Sequence, residues 1–167
     1  MAKLNSHFVV KENGKTFDEN ILVFGDVRIS VLLDGVIRIE KGAFTDEITQ
    51  SFWKRNHGKV NFTSEKQGNK VIIKTDRAEV CVNLSNGKPV WAKCGKLLPK
   101  CNNRKNLKGT ARTLDQAKGE VKLLDGVVSF DGAAVVDDSK SLVISENGEI
   151  IPRKGKCKDI YVSYKLI

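Results

Sequence analysis

The stretch Val27-Arg28-Ile29-Ser30-Val31-Leu32-Leu33-Asp34-Gly35-Val36-Ile37-Arg38-Ile39-Glu40 decides the fold class. Two runs rich in β-branched residues flank an Asp-Gly pair. That pattern predicts a tight hairpin, because both turn positions take positive φ. Within the runs, Arg28, Ser30, Arg38 and Glu40 alternate with apolar neighbours. A period of two places the apolar set on one face and the polar set on the other, and the polar face is expected to meet water.

The same grammar repeats outward. Val60–Thr63 and Lys70–Lys74 flank Gln67-Gly68-Asn69, and Glu79–Leu84 and Pro89–Ala92 flank Asn86-Gly87. Val121–Leu124 and Val127–Phe130 flank Asp125-Gly126, Ser141–Ile144 and Glu149–Ile151 flank Asn147-Gly148, and Asp159–Tyr164 is the last run. About ten short strands with a turn signal every 8–12 residues predict an all-β chain, mainly an antiparallel β-sandwich. Helical periodicity is nearly absent. At most one short helix is expected, over Thr45–Arg55, where Thr45-Asp46-Glu47 resembles a helix start. Residues 93–116 show no strand pattern, and connections of that length are usually functional or disordered.

The chain of 167 residues suits a single domain. No run of about 18 apolar residues exists, so no spanning helix is expected. The N-terminal residues lack the apolar core of a secretory signal, which with free cysteines points to a cytoplasmic setting. The net charge of +9 is concentrated. Between Val80 and Leu114 stand Lys88, Lys93, Lys96, Lys100, Arg104, Lys105, Lys108 and Arg112 with no Asp or Glu. A phosphate backbone would be drawn to such a segment, yet charge runs most often serve as solvated surface, and a nucleic-acid partner is the weaker reading.

Recognised catalytic patterns are missing. There is no phosphate-cradling glycine motif, and no Cys-x-x-Cys among Cys81, Cys94, Cys101 and Cys157, so neither cofactor nor metal is expected. Cys81 lies in an apolar run and reads as a buried packing residue. His57, in Arg55-Asn56-His57-Gly58, reads as a surface histidine. Asp137-Asp138 is an adjacent carboxylate pair, but on a strand neighbours point to opposite faces and cannot share one task.

Two C-terminal stretches carry a resemblance. Asn106-Leu107-Lys108-Gly109-Thr110-Ala111-Arg112-Thr113-Leu114-Asp115 resembles the N-L-G-G-T-x-R-T-L-D segment of glycoside hydrolase family 31, which includes α-glucosidases and α-xylosidases. Leu123–Ser139, containing Ser129-Phe130-Asp131-Gly132 and Asp137-Asp138-Ser139, resembles its L-x-x-G-L-x-S-R-D-G-W-x-x-x-D-D-S segment. The opening hairpin resembles the family's R-F-T-V-L-T…L-I-R-L-E, and Phe52-Trp53-Lys54-Arg55-Asn56 its F-x-x-R-N. Asp159-Ile160-Tyr161-Val162 resembles the strand leading into its catalytic barrel.

The resemblance implies a galactose-mutarotase-like supersandwich, the N-terminal domain of such an enzyme. Its two catalytic aspartates would lie in a (β/α)8 barrel downstream of residue 167, so this chain alone is expected to be inactive. Its partners would be that barrel and an α-linked oligosaccharide or glycoside. By the same resemblance Arg112, Asp115 and Asp131 are candidates for touching substrate. Gly109, Thr110, Gly132, Asp137 and Asp138 would shape the loops, and an Arg112–Asp115 bond could fix one of them. A free-standing carbohydrate-binding sandwich is the alternative, and it requires an exposed Trp or Tyr. The sequence departs from the family pattern at Lys108, at Phe130 and at Ala133, where an aromatic for stacking on sugar is absent.

Overall fold

The computed structural model describes residues 14–93, 106–110, 113–130 and 132–164. Twelve strands and one three-residue 3-10 turn, Asp18–Asn20, lie within them. The strands are β1 (Ile21–Phe24), β2 (Val27–Leu33), β3 (Val36–Gly42), β4 (Ile48–Thr49), β5 (Thr63–Gln67) and β6 (Lys70–Lys74). They continue with β7 (Glu79–Asn83), β8 (Lys88–Lys93), β9 (Ala133–Asp137), β10 (Val143–Ile144), β11 (Ile150–Ile151) and β12 (Cys157–Tyr164). The all-β, antiparallel expectation holds.

A five-stranded sheet runs β1-β2-β3-β12-β9 and a four-stranded sheet β5-β6-β7-β8; β11-β10-β4 form a small third sheet. The Asp34-Gly35 turn joins β2 to β3 as predicted, with Gly35 at φ +85° and Leu33 opposite Val36. A bulge at Leu32 precedes it. The last strand, β12, lies between β3 and β9, placing Ile160 opposite Ile39 and Val162 between Ile37 and Val135.

The main core lies between the two larger sheets. Val27, Ile29, Val31, Ile37, Ile39, Ile160 and Val162 from the first meet Val71, Ile73, Val80, Val82 and Ala92 from the second. These are the apolar positions of the two-residue period, and each Val or Ile removed from water contributes about 1.5–3 kcal/mol before entropy is counted. Cys81 is buried, as its run implied. The edge strand β5, Thr-Ser-Glu-Lys-Gln, is exposed throughout, and its polar side chains discourage pairing with another chain.

Three expectations are corrected. Thr45–Arg55 is not a helix. The Thr45 hydroxyl does accept the Glu47 N–H (3.1 Å), but this closes only a local turn, and Ile48–Thr49 pair with Val143–Ile144 instead. The hairpin across Asp125-Gly126 does not form either. Ser129 pairs with Asn106 and Leu124 with Gly109, 23 and 15 positions upstream, while Val128 pairs with Ala134 downstream, so the two runs do not pair with each other. Gly126 lacks the positive φ a tight turn would need. A Cβ there would sit against the Leu107 carbonyl, so glycine serves close approach rather than turning. Finally, the polar face of β2 and β3 does not meet water. Ser30, Arg38 and Glu40 are buried, because a second layer of chain covers them.

Candidate functional site

That covered face holds a charge network. Cross-strand registry sets its first two rows: Arg28 lies opposite Glu40, which lies opposite Asp159, while Ser30, Arg38 and Tyr161 align in the next row. Arg28 grips Glu40 through Nε (2.6 Å) and Nη2 (3.0 Å) and reaches out to Asp46 (2.8 Å). Arg38 forks onto Asp159, Nε to Oδ1 at 2.8 Å and Nη2 to Oδ2 at 2.9 Å. Both arginines also donate to the Thr45 carbonyl at 3.0 Å, which ties the 43–49 segment across the sheet.

Two further arginines come from the covering layer. Arg55 donates to Tyr161 Oη (2.8 Å), to the Glu47 carbonyl (2.8 Å) and to the Gly14 carbonyl (3.2 Å). Arg153 donates to the Ser141 carbonyl and to both the carbonyl and carboxylate of Asp138, and its Nη1 lies 3.0 Å from Asp159. Asp138 also accepts from Thr49 Oγ1 (2.9 Å) and Ser141 Oγ (2.6 Å). The Phe52 ring stacks on Tyr161 with centroids 3.4 Å apart.

Burial opposes ionisation of Asp159, yet the Arg38 fork, with Arg153 and Arg55 behind it, holds its carboxyl below the ordinary range. Burial pushes the Tyr161 hydroxyl up despite the pull of Arg38 and Arg55. Burial, then Arg38, pushes Arg55 down. Within this network Glu40, Asp138 and Asp159 are each held by guanidinium donors, and Asp138 by two hydroxyl groups as well. The network clamps loops to a sheet.

The residues singled out in sequence divide accordingly. Asp138 belongs to the network and is buried. Asp137 is exposed on the opposite side of the strand and accepts from the Ser139 N–H (3.1 Å) and hydroxyl. The two carboxylates therefore do not work as a pair. Gly109 exchanges both backbone hydrogen bonds with Leu124 (3.0 and 2.8 Å). Thr110 is exposed, and Asp115 is exposed in a turn closed by Ala117 N–H onto the Leu114 carbonyl. Gly132 takes φ +78°, and its N–H donates to the Ser129 carbonyl at 3.0 Å. Arg112, Asp131 and the expected Arg112–Asp115 bond lie outside the described residues, as do Cys94, Cys101, Lys96, Lys100, Arg104 and Lys105. His57 is exposed, as its turn-like stretch implied; Trp91 is half-buried and Trp53 is 51% exposed.

Arg153 and Thr49 had no sequence signal, since neither lies in an alternating run. The signal for Arg28, Arg38, Glu40, Asp159 and Tyr161 was present as polar residues at every second position of strands whose other face is apolar at its centre, with Lys41 and Lys158 only at its end.

The segment holding Gly109 and Thr110 exposes apolar side chains among its charged ones. Leu107, Leu123, Leu124, Val127 and Phe130 are all exposed, Phe130 by 77%. The Asn106 amide clamps it, with Nδ2 donating to the Gly126 carbonyl and Oδ1 accepting the Gly126 N–H, both at 2.7 Å. An open groove of about 640 Å³ lies elsewhere, lined by Glu19, Lys59, Phe62, Lys74, Thr75 and Asp76. Among the described residues there is no cluster of three metal-ligating side chains and no helix long and apolar enough to cross a membrane.

The fold is all-β, and this face carries a buried charge network that ties loops to the sheet. No family model and no curated protein matches the chain. A solved structure that it resembles is a GH31 alpha-xylosidase from Xanthomonas citri, at 19% identity and a TM-score of 0.27. The match covers 73% of this chain and 14% of the length of that one.

Proposed function

We propose that this chain is a non-catalytic β-sandwich domain of a glycoside hydrolase of the family 31 type, acting on α-linked glucosides or xylosides. It packs on the catalytic barrel of the same parent polypeptide and lends the 106–132 segment to the mouth of the sugar pocket. One observation carries the reading. Residues scattered among the motifs that resemble the family, namely Arg28, Arg38, Glu40, Arg55, Asp138 and Asp159, meet in a single buried network. Those motifs are thereby accounted for by architecture, which is what a supporting domain requires. The exposed Leu123, Leu124, Val127 and Phe130 supply the apolar surface a neighbour would cover.

The test has two arms. The chain alone should release no nitrophenol from nitrophenyl α-glucoside or α-xyloside. The reading frame beyond residue 167 should encode a barrel whose excised protein binds this chain. Turnover by the chain alone, or a stop codon at that point, would refute the proposal.

A second reading, a free-standing carbohydrate-binding module, draws on the exposed Trp53 ring. Quenching of Trp53 fluorescence by an α-glucan, lost in Trp53→Ala, would favour it over the first.

A further inference from the structure

Asn-Gly is the dipeptide most open to attack of a backbone nitrogen on a side-chain amide, because the glycine has no Cβ to block the approach. The chain places two such pairs at hairpin tips, Asn86-Gly87 between β7 and β8 and Asn147-Gly148 between β10 and β11. Asn13, of a third pair, lies outside the described residues. At both tips the glycine N–H is bonded back to a carbonyl, Gly87 to Asn83 and Gly148 to Ser145, each at 2.8 Å. Neither nitrogen can react until that bond opens.

The two tips differ in what holds them. Asn86 is fastened on both sides: its Oδ1 accepts the Lys88 N–H (3.0 Å) and its carbonyl accepts from Lys158 Nζ (2.8 Å). Gly87 is buried, and a Cβ there would lie 2.7 Å from the Cβ of Lys41. Its strands β7 and β8 have five and six residues and belong to the four-stranded sheet of the main core. Asn147 is exposed, and its amide meets no hydrogen-bond partner among the described residues. Gly148 is only half-buried. The strands on either side have two residues each. Their tip is closed by the Ser145 N–H on the Glu149 carbonyl (2.9 Å) and the Glu149 N–H on Ser145 Oγ (3.1 Å). So short a hairpin opens locally at far lower cost than a core sheet.

We propose that Asn147 is a site of spontaneous deamidation, and that its isoaspartyl product loosens the layer covering the charge network. The Gly148 nitrogen gives its proton to solvent and bonds to Asn147 Cγ. The side-chain nitrogen takes a proton from solvent and leaves as ammonia. The succinimide so formed takes up one water, which opens either ring carbonyl. One opening gives aspartate. The other gives isoaspartate, whose main chain runs through Cγ and is one carbon longer. The added carbon falls between Ser145 and Glu149, so the two bonds that close the tip cannot both keep their geometry. The effect reaches inward through β10, which sets Val143 opposite Thr49, the residue whose hydroxyl holds Asp138. Arg153, two residues past β11, donates to the same carboxylate at 3.0 Å. The inference is independent of the glycosidase reading, since it rests on the two hairpin tips alone.

The whole chain is aged, folded, in neutral buffer at physiological temperature, and isoaspartate is located by peptide mass spectrometry and isoaspartyl methyltransferase labelling. The Asn147 peptide should accumulate it roughly tenfold or more faster than the Asn86 peptide, the ratio expected when the two openings differ by about the worth of one hydrogen bond. In urea-unfolded chain the two rates should converge. The isoaspartyl fraction, separated by chromatography, should show amide exchange at Ser145 raised several-fold and a lower urea midpoint. Asn147→Asp, which adds the charge without the extra main-chain carbon, should keep the wild-type midpoint. Equal or faster modification at Asn86 in the folded chain would overturn the site, and so would an Asn147 that stays intact while the unfolded chain reacts. An isoaspartyl fraction with the wild-type midpoint would overturn the loosening.

Discussion

Replacing Asp159 with Asn removes one negative charge from the middle of the network and almost no volume. In the wild type, Asp159 is fully buried, accepts two hydrogen bonds from Arg38 at 2.8 and 2.9 Å, and lies 3.0 Å from Arg153 Nη1. An asparagine can accept through one oxygen only, and its NH2 group would point donors at guanidinium donors. Each hydrogen bond involving a charged group contributes about 1.5–3 kcal/mol, so a simple sum over the two Arg38 bonds gives about 3–6 kcal/mol. Removing one partner of a buried pair costs about 3–5 kcal/mol, because the other charge stays behind uncompensated. The expected loss is therefore about 3–5 kcal/mol, a large part of the 5–15 kcal/mol typical of a domain.

Urea unfolding followed by tryptophan fluorescence and far-UV circular dichroism measures it. Asp137→Asn, next door on the exposed side of the chain, is the control and should cost under about 1 kcal/mol. Adding Arg38→Met to Asp159→Asn should recover part of the loss, since the stranded charge leaves with it. An Asp159→Asn protein within about 1 kcal/mol of wild type would refute the reasoning, and so would a double variant that is merely additive.

Stability should fall at both ends of the pH scale. The Asp159 carboxyl is held below its ordinary range, so its contribution is complete above the unfolded value of about 4 and is lost as pH drops through the folded one. The Tyr161 hydroxyl is pushed above 10, so the contribution it makes is present below about pH 10 and declines above it. Urea midpoints across pH 3–11 check both limbs, and Tyr161→Phe should flatten the alkaline one. Gly126→Ala should raise amide exchange at Leu107 and Gly126 by several-fold while the global midpoint barely moves, because the clash is with one carbonyl of an exposed segment. Unchanged exchange would mean the Asn106 clamp tolerates a side chain. Leu124→Lys with Phe130→Ser should alter stability by under about 0.5 kcal/mol per site and abolish binding to the excised barrel, as read by calorimetry.

The two-sheet core was legible because its signal is local. Asp34-Gly35, Asn86-Gly87 and Asn147-Gly148 all sit in loops between the strands they were read to separate, with the glycines at positive φ. Strands at Ile21–Phe24 and Ala133–Asp137 were not legible. Each is held by a partner rather than by its own alternation, β1 by β2 and β9 by a strand more than 20 residues further on. The same reason explains the failed hairpin at Asp125-Gly126: its apolar residues Leu123, Leu124, Val127 and Phe130 meet no facing layer among the described residues and are exposed. The largest error, the wet face, is the most informative. Period two reports that two faces differ in chemistry, not that the polar one is solvated. Arg28, Arg38, Glu40 and Asp159 alternate as surface residues do, yet each has a charged partner across the strands or from the covering layer. A surface face seldom shows unlike charges directly opposite on successive strands with guanidinium as every cation. Arginine, with a planar fork that matches a carboxylate, is the cation that tolerates burial, and lysine stands in none of these inward positions. The choice of arginine over lysine at alternating positions was thus the available sign that this face is covered, in a chain whose other sheet keeps lysine at its exposed positions Lys66, Lys70, Lys74 and Lys88.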